Sequence, residues 1–142
     1  MNKLIIIAGI FISIILSGCG SLPPSSTNSE YFKSVGGGFI YDRDNKEVKY
    51  ALTVTSIGNV KPGNFMLVNF ENPTGSSPLS ISRIVKDGES EFSLQSPPVN
   101  GLKAHTNYKI TILLFSSKDR SKQLGTHVQL LQSLVNQNDL GW

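Results

Sequence analysis

The chain has 142 residues, 39% of them hydrophobic, with 13 basic and 10 acidic side chains and a formal net charge of +3. That length accommodates one domain with a substantial core, not two. The basic residues are scattered, with no cationic run interleaved with aromatics, which excludes the usual footprint of a nucleic-acid binder; a single cysteine excludes an internal disulfide or thiolate-metal framework.

The first element is an apolar run, Leu4 to Leu16, preceded by Lys3 and interrupted only by Gly9 and Ser13 among bulky residues. It is too short to span a bilayer as a helix, which takes about 20 apolar residues. It fits the charged start, short apolar centre and small-residue cleavage site of a secretory signal. Leu16-Ser17-Gly18-Cys19 follows directly. This tetrapeptide resembles the lipobox of bacterial lipoproteins, a family in which the cysteine is acylated and becomes the first mature residue. The resemblance implies removal of residues 1–18 and a membrane anchor of acyl chains, palmitate among them, on Cys19. Gly20 stands where an aspartate retains many such proteins at the inner membrane. The implied location is therefore the outer membrane, facing the periplasm. Residues 19–35 open with a Ser- and Pro-rich stretch, Gly20 to Ser29, that reads as a flexible tether.

From residue 36 to 131 the pattern is short β-rich runs between turn residues. The predicted strands are 38–42, 48–56, 64–70, 79–85, 90–95, 107–116 and 123–131. In the second, Tyr50, Leu52 and Val54 alternate with Ala51, Thr53 and Thr55, the period of a half-buried strand. Lys61-Pro62-Gly63 and Lys86-Asp87-Gly88 are turns, and Pro97-Pro98 ends the fifth run because proline cannot donate into a sheet interior. No helical periodicity competes. Seven such runs predict an all-β chain folded as an antiparallel seven-stranded β-sandwich. Residues 132–142 form a C-terminal tail.

Residues 101–112 read Gly-Leu-Lys-Ala-His-Thr-Asn-Tyr-Lys-Ile-Thr-Ile. Leu102, Thr106 and Tyr108, followed by Ile110 and Ile112, resemble the tyrosine corner that precedes the sixth strand of fibronectin type III domains, with Ala104 in place of the usual proline. The resemblance implies a buried Tyr108 ring whose hydroxyl bonds upstream backbone. The buried tryptophan expected early in such modules is absent, since the one tryptophan is Trp142. A fibronectin type III-like and an immunoglobulin-like sandwich both remain open.

Catalytic and metal chemistry finds little footing. Asp42-x-Asp44-Asn45-x-Glu47 has the start of a calcium loop but neither its glycine nor its closing glutamate, so it reads as a polar turn. Asp87, Glu89 and Glu91 read as a solvated edge. His105 and His127 are far apart in sequence and lack neighbouring ligands. Gly36-Gly37-Gly38 lacks the lysine of a phosphate loop and reads as a bulge or flexible strand start. The expectation is no enzyme, no metal and no cofactor.

The clearest candidate site is apolar. With Tyr108 inward, Ile110, Ile112 and Leu114 face the core, and Leu113 and Phe115 face out. Joined to Met66, Val68 and Phe70 of the third strand, they are expected to form an outer stripe for a protein partner in the envelope. The segment from Leu130 to Trp142 offers the competing role for that stripe, since Leu131, Leu134, Val135, Leu140 and Trp142 can fold back over it. The functional expectation is an envelope lipoprotein whose sandwich binds another protein. The alternative is a small-ligand or glycan-binding lipoprotein working through loops at one end.

Overall fold

The computed structural model describes residues 29–142. The apolar run, Cys19 and the tether up to Asn28 lie outside the described residues. Seven strands follow in order: β1 Phe32–Asp42, β2 Glu47–Ser56, β3 Phe65–Phe70, β4 Leu79–Ile84, β5 Glu91–Gln95, β6 Thr106–Phe115 and β7 Gln123–Ser133. They form two antiparallel sheets, one ordered β1-β2-β5 and the other β4-β3-β6-β7. A short 3-10 turn, Gln137–Leu140, follows β7.

The expected start at residue 36 falls inside β1. Phe32 is in the core at 1% exposure, and the chain pairs with β2 from that residue onward. Three glycines leave β1 without the alternating side chains that would reveal it as a strand. The ladder slips once between Ser34 and Gly36, so Val35 bulges outward. The expected end at residue 131 likewise falls inside β7, which runs two residues further to the fully buried Ser133.

The core lies between the sheets. β2 contributes Val48, Tyr50, Leu52 and Val54, all but sealed from solvent, and β6 contributes Tyr108, Ile110, Ile112 and Leu114 from its facing side. Tyr50 sits at the aromatic centre. Its ring centroid is 4.9 Å from Phe39, 5.5 Å from Phe70 and 6.4 Å from Tyr108. Its hydroxyl donates to the Glu71 carbonyl at 2.7 Å, and burial pushes the phenol well above its usual range.

Each open side of the sandwich has its own closure. Between β4 and β5, Arg83 lies over the Phe92 ring, 5.3 Å from its centroid, and pairs with Glu89. Between β1 and β7, His127 shares a 2.8 Å hydrogen bond with Ser34 and meets the Phe32 ring edge-on. Gly37 lets the chain pass close at this seam, since a Cβ there would lie 2.8 Å from Leu131 Cδ2 and push that side chain aside.

The two ends of the sandwich are distinct. Ile57 N–H donates to Tyr31 O at 2.9 Å, Ser56 N–H to Ser90 O at 2.8 Å, and Asn64 Nδ2 to Ser116 O at 3.1 Å. These bonds gather loops 57–64, 85–90 and 116–122 around the start of β1, here called the N-terminal end. At the other end, Gln137 N–H donates to Leu102 O at 2.9 Å and Ala104 N–H to Asn136 Oδ1 at 2.9 Å. Leu140 and Trp142 pack against the core there. The tail therefore caps the corner end.

Candidate binding surface

Tyr108 is 4% exposed, and its hydroxyl accepts a hydrogen bond from Lys103 N–H at 2.9 Å. Thr106 Oγ1 donates to Ala104 O at 3.2 Å, and Leu102 is buried beneath the bend. His105 takes a positive φ of 56° at the turn and is exposed. The corner is thus a structural bend, fixed by backbone bonds on both sides of the turn.

The apolar stripe needs correction. Met66, Val68 and Phe70 are each 0% exposed and belong to the core. The register explains why: Met66 pairs with Leu114, Val68 with Ile112 and Phe70 with Ile110, so both rows point inward. Shifting a strand's alternation by one residue exchanges its two faces, and β3 is apolar on both. Leu113 and Phe115 do lie on the outer face, but their partners are Leu67 and Phe65. The signal missed in the sequence was Asn69, a polar residue sharing parity with Phe65 and Leu67.

The outer face of the four-stranded sheet therefore carries Phe65 and Leu67 from β3, Leu113 and Phe115 from β6, and Ile84 from β4. On β7, Thr126 stands opposite Leu113 and Val128 opposite Thr111. Ile84 is 44% exposed, and Leu67, Leu113, Val128 and Leu130 are half-buried. Phe65 and Phe115 are nearly covered by one another, with centroids 6.3 Å apart, and by Arg120, whose Cζ lies 5.2 Å over the Phe65 ring.

This face is zoned along its length. Toward the N-terminal end, Phe65 and Ile84 floor a shallow depression lined also by Ser82, Arg83, Lys86 and Lys118. Toward the corner end the surface turns polar: Asn69, Glu71, Lys109 and Thr111 line a second depression. There Glu71 Oε2 accepts from Lys109 N–H at 2.8 Å.

The remaining polar candidates have local explanations. Asp42 accepts from the backbone N–H groups of Asp44 and Asn45 and from the Asn45 side chain, at 2.8–3.1 Å. These bonds, that from the Asn45 side chain foremost, lower its pKa. The segment closes the β1–β2 hairpin. Glu89 is held low by Lys86 N–H and Arg83, and Asp119 by Ser121 N–H and Ser117. Among the described residues no three His, Cys, Asp or Glu side chains gather as metal ligands.

His127 is the exception, a titratable ring at 1% exposure whose Nδ1 has no hydrogen-bond partner among the described residues. Desolvation lowers its pKa from the usual 6.5. The folded chain therefore holds His127 neutral, and the unfolded chain binds the extra proton below about pH 6.5. This contribution to stability is complete above that pH and is lost as pH falls toward the depressed folded value. Melting temperatures between pH 7.5 and 5 are expected to fall with acidity in the native protein, and His127→Asn to flatten that slope. An unchanged slope in the variant would place the acid sensitivity elsewhere.

No family model matches the chain, and no curated protein or solved structure matches it.

Proposed function

We propose that this chain is an acylated envelope lipoprotein, anchored through Cys19 in the outer membrane and facing the periplasm, whose sandwich binds a protein partner rather than catalysing a reaction. The carrying observation is the outer face of the four-stranded sheet. It presents Leu67, Leu113, Val128 and Ile84, and the C-terminal segment caps the corner end and leaves them uncovered. A contiguous apolar face on a folded domain marks an interaction surface.

Three features support the fibronectin type III-like version of the sandwich. β4 pairs with β3, whereas in an antibody constant domain the fourth strand pairs with the fifth. The Tyr108 hydroxyl bonds backbone five residues upstream. Tyr50, fully buried on β2, supplies the early aromatic centre for which the resemblance leads one to expect a tryptophan.

Leu113→Asp tests the binding face because it adds a charge to the outer surface and leaves the core row untouched. Crosslinking in the producing cell is expected to lose its principal protein adduct, while the melt of the purified variant shifts by less than about 1 kcal/mol. An undiminished adduct from a folded variant refutes binding through this face.

A further inference from the structure

Four strand edges are exposed to pairing in an open two-sheet sandwich, and such edges invite another chain unless something blunts them. β1 carries the Val35 bulge and three glycines. β7 is flanked by β1, and Tyr31 lies so close over Gly125 that a Cβ there would be 2.5 Å from its ring. β5 is short and runs into Pro97-Pro98. β4 is different. Its ladder to β3 is regular across Leu79–Ile84, with no bulge, glycine or proline. Arg83 does point inward, but Glu89 neutralises it within the chain.

Among the described residues no strand pairs with the outer edge of β4, and that edge is also oriented for use. Val85 N–H donates to Asn64 O at 2.9 Å, so the alternation of an antiparallel ladder turns the amides of Ile84, Ser82 and Ser80 away from β3. Beside this edge lies the depression floored by Phe65 and Ile84, with Lys86 and Lys118 on its rim and Arg120 over Phe65. The nearest acids are largely engaged: Glu89 holds Arg83, and Asp119 accepts from Ser117 Oγ and Ser121 N–H. Asp87 is exposed in the turn beyond. Three cations around an apolar floor complement a carboxylate carried next to an apolar side chain.

We infer that β4 is a docking edge, where an extended segment of the partner protein adds as a further strand and sets an acidic side chain among Lys86, Lys118 and Arg120. Main-chain hydrogen bonds supply the attachment in such strand addition, and the side chains beside the edge select the segment. This assignment rests on the protein-binding reading above and gives it a location and a chemistry.

The test uses the full chain in the cell that produces it, with a photo-crosslinking amino acid at Ser80 on β4 in one variant and at Thr126 on the outer face of β7 in another. The Ser80 probe is expected to give a protein adduct whose crosslinked peptide contains Asp or Glu beside apolar residues. Ser82→Pro removes an outward N–H, and Lys86→Glu with Lys118→Glu reverses the rim. Each is expected to lower the Ser80 adduct about tenfold; if Ser82→Pro does not fold, the charge reversal alone decides. A protein adduct at Thr126 but none at Ser80 overturns the docking edge and leaves the binding reading standing, as does a Ser80 adduct indifferent to these changes. A lipid adduct at Ser80 overturns the docking edge, and no protein adduct at either position overturns both readings.

Discussion

Tyr50→Ala is expected to destabilise the domain by about 3–5 kcal/mol, the usual cost of emptying a large aromatic site in a packed core. Phe39, Phe70 and Tyr108 all lean on this ring, and they come from both sheets. They cannot close over the gap without moving the sheets together, so most of the cavity persists. The substitution also strands the Glu71 carbonyl, which now accepts the tyrosine hydroxyl at 2.7 Å. Tyr50→Phe separates the two effects, keeping the ring and losing only the hydrogen bond, for about 1 kcal/mol. Single domains are stable by about 5–15 kcal/mol, so the alanine variant is expected to melt far below the native protein in a urea or thermal titration. A loss under about 1 kcal/mol would show that Tyr50 is not the centre of the core.

The second large effect concerns location. Cys19→Ala is expected to abolish acyl labelling and move the protein out of the membrane fraction. Each buried methylene contributes about 0.8 kcal/mol to membrane affinity, so several acyl chains anchor durably and none leaves only the protein surface. No helix among the described residues is long and apolar enough to cross a membrane. Persistent labelling in the variant would exclude Cys19 as the acylated residue. An unlabelled variant still in the membrane pellet would assign the anchor to the Leu4–Leu16 run itself. Nine residues, Gly20 to Asn28, separate the cysteine from the described residues, a reach of at most about 30 Å when extended.

The sheet composition was legible in sequence because β2 and β6 show clean alternation and because Pro62, Gly63, Gly88 and Pro97 punctuate the chain. Strand order and register were less so. β3 is apolar on both faces, and only its pairing with Leu114, Ile112 and Ile110 decides that Met66, Val68 and Phe70 go inward. β1 hid behind glycines that carry no side-chain pattern, although the buried Phe32 and the Ser34–His127 bond fix its start. The C-terminal segment was ambiguous because its apolar residues fit either surface. Its destination was settled by polar side chains, Asn136 and Gln137, which bond the backbone of the corner.

β1 begins at one end of the sandwich and the residues after β7 finish at the other, with the two strands running in the same direction. A pull between the N-terminal segment and the residues after β7 would act along the strand axes. The β1–β2 ladder would be sheared over its whole length, with its hydrogen bonds sharing the force, instead of peeling apart one bond at a time.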